Sequence, residues 1–482
     1  MQIYLDDSID SYRTFLKVKS LPRYEIHGRM AVVPDEYASA IGVELEREAA
    51  RDYVPAEWLF DYQRDIVRMA IEKRRFAIFA DCGLGKTPML LEFARHVWAV
   101  QSKPVLIVSP LMVVKQTMEE AAKFYGDSLP IEQVPAKSLA KWMQTPGGRV
   151  GITNYDALRD DTPSGDLGGL ILDESSMLKS HYGKWGQVCL RLGAGVPWKL
   201  ALTGTPAPND RIEYANHAVF LDAFPNVNSF LARFFINRGQ TQERWELKPH
   251  ALRPFYRALS HWCIFLTDPS TYGWKDNVHN IPPIHVSIED VKLSEEQQRK
   301  VQTETGQLFV TELGGITTRS KLSRMAKCES SAKPQYIADL VRSWPDESTL
   351  IWCRYNDEQR ALEQVLPEAA SIDGDTPVEE RQRIVDDFKA GRVRILISKP
   401  KILGFGLNLQ VCTRQVFSGL QDSYEEYYQA VKRSNRIGST RPLNVHIPVS
   451  DVERPMVDNV LRKARRVEAD TREQEAMFRD AT

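Results

Sequence analysis

Short apolar runs alternate along most of this chain with longer stretches whose apolar positions recur every three or four residues. The first is strand-like and the second helical. Phe76-Ala77-Ile78-Phe79 is one such run, and Met89-Leu90-Leu91-Glu92-Phe93-Ala94-Arg95-His96-Val97-Trp98, after a glycine-rich interval, has helical spacing. Further strand candidates are Val105-Leu106-Ile107-Val108, Val150-Gly151-Ile152-Thr153, Leu170-Ile171-Leu172 and Lys199-Leu200-Ala201-Leu202. A second series begins near Lys333 and includes Thr349-Leu350-Ile351-Trp352-Cys353, Arg394-Ile395-Leu396-Ile397, Val416-Phe417 and Val445-His446-Ile447. Alternating strands and helices are what a parallel sheet with covering helices requires. The expected class is α/β, with two parallel sheets in tandem.

The pattern breaks from residue 210 to about 335, where Phe220–Pro225, Phe230–Phe235 and Phe255–Leu259 are aromatic-rich helical pieces. Aromatics at helical spacing read as the core of a helical insertion rather than as platforms for stacked bases. The first 55 residues, with Tyr24-Glu25-Ile26 and Ala31-Val32-Val33, read as a small α/β appendage. Arg462-Lys463-Ala464-Arg465-Arg466 and the mixed charges after it read as an exposed helix or tail. The expected domains are thus 1–55 (appendage), 56–215 (first α/β unit), 216–332 (helical insertion), 333–450 (second α/β unit) and 451–482 (charged helix or tail).

Each apolar run of the first series ends in a polar cluster. In open α/β sheets ligands bind at the carboxyl ends of the strands, so these clusters are expected on one face. Ala80-Asp81-Cys82-Gly83-Leu84-Gly85-Lys86-Thr87 reads as a phosphate loop. Backbone N–H groups at the following helix N-terminus favour anions, Gly83 and Gly85 permit close approach, Lys86 adds a point charge, and the Thr87 hydroxyl suits magnesium. Asp173-Glu174-Ser175-Ser176 follows another run. There Asp173 can hold magnesium through its water shell, while Glu174 orients and deprotonates an attacking water. Ser109-Pro110, Asn154-Tyr155 and Thr203-Gly204-Thr205-Pro206 complete the set. Gln63 sits on a helix ahead of the loop, and its amide can donate and accept at once, which suits an adenine edge.

In the second series, Gly404-Phe405-Gly406-Leu407-Asn408-Leu409-Gln410 supplies a glycine turn after a strand. The helix expected from Tyr424 to Arg436 places Gln429, Arg433 and Arg436 at i, i+4 and i+7, on one face. Two arginines so arranged can stabilise charge on a transferring phosphoryl group.

Composition narrows the picture only a little. Hydrophobic and charged fractions of 43% and 26% are those of an ordinary soluble protein, and no apolar run approaches membrane-spanning length. Acids follow Met1 almost at once and no basic-then-apolar leader is present, so the expected location is the cytoplasm. Six cysteines without a C-x-x-C pair argue against disulfides and a zinc site. A net charge of −1 leaves nucleic-acid binding to locally basic surfaces.

The ordered series of Gln63, the glycine loop, Ser109-Pro110, Asp173-Glu174 and Leu202-Thr203-Gly204-Thr205-Pro206 resembles the first RecA-like lobe of superfamily 2 helicases and translocases. Ala80 in place of a first glycine is the helicase form of the loop, and Gln429-x-x-x-Arg433-x-x-Arg436-x-Gly438 resembles the last helicase motif. The aromatic helical pieces closing on Ile281-Pro282-Pro283 resemble the protrusion of the SWI/SNF branch. Asp81–Thr87, Leu202–Asn209 and Gly404–Gln410 are similar to bacteriophage and bacterial members of that branch, the DEAD/DEAH-type DNA helicases.

The resemblance spans roughly residues 58–450 and implies two RecA-like lobes that hydrolyse ATP with Mg2+ in the cleft between them, so as to move along or unwind DNA. It assigns Lys86, Asp173, Glu174, Arg433 and Arg436 to catalysis, Thr87 and Asp173 to the metal, and Gln63, Gly83, Leu84, Gly85, Lys86, Thr87, Gly404, Gly406 and Gln429 to the nucleotide. Thr203, Gly204 and Thr205 couple nucleotide state to closure, and Ser109, Asn154, Arg354 and Asn408 meet DNA phosphates. The implied partners are single-stranded, duplex or forked DNA and phage or bacterial replication and recombination proteins, with the chain a monomer in a bacterial host. An RNA helicase would use the same ATP site, and a non-catalytic nucleic-acid clamp is the third alternative. Two departures stand out: Asp-Glu-Ser-Ser replaces the Asp-Glu-Ala-His of many relatives, and Ser439 replaces the glutamine that usually follows the last glycine.

Overall fold

A computed structural model of the chain describes all residues except 22, 35–36, 44–51, 164, 179–182, 209, 240–243, 277–280, 293–294, 296–298, 300–331, 404–406, 421–423, 437–438, 451–452 and 482. The chain divides into two units, Met1–Val278 with Glu468–Thr482, and His279–Val467.

The first unit opens with β1 (Gln2–Tyr4), the helix Ile9–Ser20, β2 (Glu25–His27) and β3 (Met30–Val32), the strands forming an antiparallel sheet in the order β1-β3-β2. Ser8 caps the helix by accepting from the Ser11 N–H, and Leu5, Val18, Leu21, Ala31, Val33, Tyr37 and Ile41 make a small core. The Tyr37 hydroxyl donates to the Ala223 carbonyl at 3.1 Å, joining this appendage to the body of the unit.

That body contains β4 (Arg75–Ala80), β5 (Val105–Ser109), β6 (Ile131–Gln133), β7 (Val150–Asn154), β8 (Gly169–Asp173), β9 (Trp198–Thr203), the hairpin strands β10 (Phe235–Asn237) and β11 (Trp245–Leu247), and β12 (Cys263–Leu266). Seven of these form a wholly parallel sheet in the order β12-β4-β9-β8-β5-β7-β6. Its central strands are buried along their whole length, which is why they read as continuous apolar runs. Strand alternation divides them between two cores. Phe76, Ile78 and Ala80 face the layer of helices Asp61–Lys73, Lys86–Val100 and Leu111–Tyr125, whereas Ala77 and Phe79 face the opposite layer of helices Lys184–Gly193, Tyr214–Phe220, Val227–Phe234 and Leu252–Ser260.

Phe224, Phe230, Phe234, Phe235 and Phe255 lie in that second layer, buried and in mutual ring contact at 5.2–6.0 Å, so the aromatic-rich stretch is core. The described part of the stretch read as a helical insertion also holds strands. β12 extends the first sheet, and β13 (Ile284–Asp290) belongs to the second.

The second unit adds β14 (Thr349–Trp352), β15 (Ala370–Ile372), β16 (Ile395–Ser398), β17 (Arg414–Phe417) and β18 (Leu443–Val449), making a parallel six-stranded sheet in the order β13-β18-β17-β14-β16-β15. Ile351, Ile395, Ile397 and Val416 pack with Ile337, Val341 and Leu362, and on the other face Leu350, Trp352, Leu396 and Phe417 pack with Val385, Phe388, Tyr427, Val457 and Val460.

The final helix, Arg454–Ala481, is less exposed than its charge suggests. It gives Val457 and Val460 to the second core, while its residues from Glu468 onward belong to the first unit. In that unit Glu475 is 4% exposed and accepts from both the backbone N–H and the hydroxyl of Thr267 at 2.6 Å, Asp470 pairs with Arg211, and Gln474 donates to the Tyr214 hydroxyl at 3.2 Å. Among the described residues no helix is long and apolar enough to cross a membrane.

Candidate functional site

The polar clusters at the ends of β4, β8 and β9 are neighbours because these three strands are adjacent in the sheet. β4 ends at Ala80, and the loop after it turns into the helix Lys86–Val100 through two glycines in left-handed backbone, Gly83 at φ +90° and Gly85 at φ +69°. A side chain is disfavoured at either position. At Gly85 space excludes it as well, since a Cβ would lie 2.1 Å from Nε2 of Gln63. Gln63 is 3% exposed and its Oε1 accepts from the Phe60 N–H at 3.1 Å, closing the start of its own helix. The preceding Tyr62 donates its hydroxyl to the Leu84 carbonyl at 3.2 Å. Tyr62 therefore fastens this helix to the glycine loop, and Gln63 packs against the loop at Gly85.

Lys86 donates from Nζ to the carbonyls of Ala80 at 3.0 Å and Asp81 at 3.3 Å, placing an ammonium within the loop. The first turn of the following helix holds no acidic residue, so its N-terminal partial charge is left for an anion. Thr87 is the second residue of that helix. Asp81 N–H donates to the Leu266 carbonyl at 2.9 Å, tying the loop to the end of β12.

Asp173 closes β8 and is 6% exposed. Ser109 donates its hydroxyl to Asp173 Oδ2 at 2.8 Å, the Glu174 N–H donates to Oδ1 at 3.1 Å, and Tyr155 donates its hydroxyl to the Asp173 carbonyl at 2.7 Å. Burial pushes this carboxyl above its ordinary range, against the opposing Ser109 hydrogen bond and Lys86 charge. A buried carboxylate of this kind is stabilised by a cation. Hydroxyl and carboxylate oxygens are the hard donors magnesium takes, and with phosphate oxygens one carboxylate suffices. Among the described residues no group of three or more His, Cys, Asp or Glu side chains could form an all-protein metal cage.

Glu174 adopts φ +50°, a conformation costing a residue with a Cβ about 1–2 kcal/mol. Its Oε2 accepts from the Thr203 hydroxyl at 3.3 Å, and Thr203 Oγ1 in turn accepts from the Thr205 N–H at 3.1 Å. The end of β9 is thereby wired to the carboxylate.

Ser109 and Asn154, expected to meet nucleic acid, are otherwise engaged in the structure. Ser109 is fully buried against Asp173, and Asn154 accepts from the Ala157 N–H at 3.0 Å to cap a short turn. Tyr155 stood in the expected Asn154-Tyr155 cluster without a role of its own, and Tyr62 was not foreseen. Only its adjacency to Gln63 could have marked Tyr62.

In the second unit the helix expected to reach Arg436 ends at Lys432, so Gln429, Arg433 and Arg436 do not share a helical face. Bonds from outside the helix end it, where Ser434 and Asn435 are weak helix formers. Gln415 donates to the Ala430 carbonyl at 2.9 Å and to the Ser434 hydroxyl at 2.8 Å, Asn435 donates to the Pro282 carbonyl at 2.7 Å, and the Leu409 N–H bonds the Arg433 carbonyl at 2.9 Å. Arg433 is left 5% exposed in a tight turn, with Arg436 half-buried beyond it. Ser439 locks that turn, its hydroxyl donating to the Ser434 carbonyl at 2.7 Å and accepting from the Arg436 N–H at 3.2 Å. Arg354 lies with its guanidinium 5.0 Å from the Tyr355 ring, and Asn408 is half-buried. Gly404 and Gly406 lie outside the described residues.

The family model of the SNF2-related domain matches residues 57–339, and that of the helicase conserved C-terminal domain matches residues 332–438. The chain is 23% identical over 428 residues to putative protein p41 of Acyrthosiphon pisum secondary endosymbiont phage 1, covering 80% of this chain and 91% of the phage protein. It is 23% identical over 428 residues to the mouse (Mus musculus) DNA annealing helicase and endonuclease ZRANB3, covering 82% of this chain and 38% of that protein. It is likewise 23% identical over 466 residues to the Zorya protein ZorD of Escherichia coli, with coverages of 81% and 42%. The chain thus spans about two fifths of the length of the last two. Among solved structures, the Sulfolobus solfataricus SWI2/SNF2 ATPase core in complex with dsDNA aligns with a TM-score of 0.41 at 20% identity, covering 83% of this chain and 89% of that one.

Proposed function

The chain belongs to the SNF2-related family of superfamily 2 helicases, and from that premise we propose that it is a DNA-dependent ATPase that moves along or unwinds DNA. The observation that carries the hydrolytic part is the set of bonds around Asp173 and Glu174, beside the glycine loop: a buried carboxylate fixed by Ser109, and a second one held in left-handed backbone and bonded to Thr203. In this reading the N–H groups from Gly83 to Thr87 and the Lys86 ammonium receive the β- and γ-phosphates. Thr87 and Asp173 hold a magnesium ion, which when bound neutralises phosphate charge. Glu174 orients a water toward the γ-phosphate and accepts its proton. Thr203, linked to Glu174 on one side and to Thr205 on the other, communicates the state of the phosphate to the end of β9. Gln63 reads the adenine edge, and Arg433 and Arg436 stabilise charge on the phosphoryl group in transfer. DNA, rather than RNA, is favoured by the family and by what the name of ZRANB3 records for that protein. The phage relative favours action inside a bacterial host.

Steady-state ATP turnover of the wild type and Glu174→Gln, with no nucleic acid and with single-stranded, duplex and forked DNA and RNA in turn, tests this reading. DNA-stimulated turnover that is lost in Glu174→Gln supports it, and the preferred DNA form separates tracking from unwinding. Stimulation by RNA alone would transfer the activity to RNA, and a wild type silent under every condition would leave the clamp.

A further inference from the structure

Glu174 needs an external hold, because an L-residue at φ +50° relaxes unless its surroundings fix it. On its N-terminal side the hold is the Tyr155 hydroxyl on the Asp173 carbonyl. On its C-terminal side lies the short turn Ser175–Leu178, in which Ser175 and Leu178 are fully buried. The helix Tyr214–Phe220 grips both ends of that turn with consecutive residues: the Ser175 hydroxyl lies 3.0 Å from Nε2 of His217, and Asn216 Nδ2 donates to the Leu178 carbonyl. His217 is 0% exposed, and its ring meets Phe79 edge-on at 5.2 Å, one residue before the end of the strand that delivers the glycine loop. One imidazole therefore touches both the strand behind the phosphate loop and the residue after the general base. Burial lowers its pKa to about 4, so near neutral pH it is an uncharged ring, and a serine hydroxyl can complement either of its tautomers.

We propose that His217 is a positioning residue for ATP hydrolysis: bonded to Ser175, it holds the backbone after Glu174 so that the Glu174 carboxylate stays against Thr203, facing the attacking water. This rests on the hydrolytic reading above. It also gives the serine after Asp173-Glu174 a purpose that alanine at that position cannot serve, since only the hydroxyl reaches the ring.

The test is ATP turnover at saturating DNA for the wild type, Ser175→Ala, His217→Leu, the double variant and His217→Gln, with KM for ATP and equilibrium binding of a fluorescent nucleotide measured alongside. Ser175→Ala removes one oxygen, so it remains informative if His217→Leu does not fold. The expected result is a kcat lowered about tenfold in either single variant, the equivalent of one neutral hydrogen bond lost at the general base. Nucleotide binding and KM stay within about twofold, the double variant is no worse than the singles, and His217→Gln, whose amide reaches toward the same hydroxyl, recovers part of the loss. In a Glu174→Gln background, Ser175→Ala changes the residual turnover no further. Wild-type turnover with unaltered kcat in both single variants, or losses that multiply in the double variant, would overturn this assignment while leaving the motor intact. A wild type without turnover would overturn both.

Discussion

Substituting alanine for Gly85 places a methyl group 2.1 Å from the Gln63 amide nitrogen in backbone at φ +69°. Left-handed backbone alone disfavours alanine by roughly 1–2 kcal/mol. Gln63 must also move, and since Oε1 of the same buried amide accepts from the Phe60 N–H, the expected result of that movement is loss of this hydrogen bond. A buried amide deprived of its partner adds about 1–2 kcal/mol, for a total of roughly 3 kcal/mol. In a Gln63→Ala background the second contribution vanishes, so the same glycine substitution costs only about 1–2 kcal/mol. The four proteins of this cycle are compared by urea unfolding, with the same transition followed in each, and by equilibrium nucleotide binding, where Gly85→Ala is expected to weaken affinity most while Gln63 is present. An equal cost in both backgrounds would refute the reasoning, because it would show that backbone strain acts alone and that the amide does not pack on the loop.

Tyr62→Phe removes the hydroxyl that holds the Leu84 carbonyl at 3.2 Å, and at about 1 kcal/mol for that bond it raises the nucleotide dissociation constant by about fivefold, read by titration with a fluorescent analogue. Lys333→Met breaks the 2.8 Å ion pair with Glu453, both partners being under 5% exposed; stability falls by about 3–5 kcal/mol in urea unfolding, and Lys333→Met with Glu453→Leu recovers most of it. Burial pushes the Glu92 carboxyl up, but the Arg95 guanidinium, the Tyr125 hydroxyl and the Ala56 N–H overcome it and leave the pKa below its ordinary 4.5. Its stabilisation is therefore complete above pH 4.5 and disappears as pH falls through the lowered native value, so acid unfolding of Glu92→Gln is less steep there than that of the wild type.

How far the sequence spoke for itself varied with the distance over which each feature is made. β4, β5, β7, β8 and β9 were legible because strands buried on both faces must be apolar throughout, and the residues that end them were legible because the carboxyl edge of a parallel sheet is where chemistry sits. β12 was not, since Cys263–Leu266 follows the helix Leu252–Ser260 so closely that four apolar residues look like its continuation. β13 escaped for the opposite reason. It is an edge strand with Val286 44% exposed, and its alternating residues lack the apolar density of the central strands. The early end of the helix after Tyr424 is decided by Gln415, Leu409 and Pro282, none of which lies in the local pattern. The same holds within the site, where Asp173 and Glu174 announce themselves but the bonds of Tyr155 to the Asp173 carbonyl and of His217 to the Ser175 hydroxyl join residues 18 and 42 positions apart.

Glu475 gives the order of synthesis a bearing on folding. The sheet and the glycine loop of the first unit are encoded before residue 279, yet Thr267, which directly follows the carbonyl bonded to the Asp81 N–H, receives its carboxylate partner only from the last helix. At about 5–20 residues per second, the ~200 residues between them occupy a ribosome for on the order of 10–40 s. Through that interval the nascent first unit carries Thr267, Arg211 and Tyr214 without Glu475, Asp470 and Gln474, so the corner behind its glycine loop is the last part of the unit to be finished, although most of that unit is translated first.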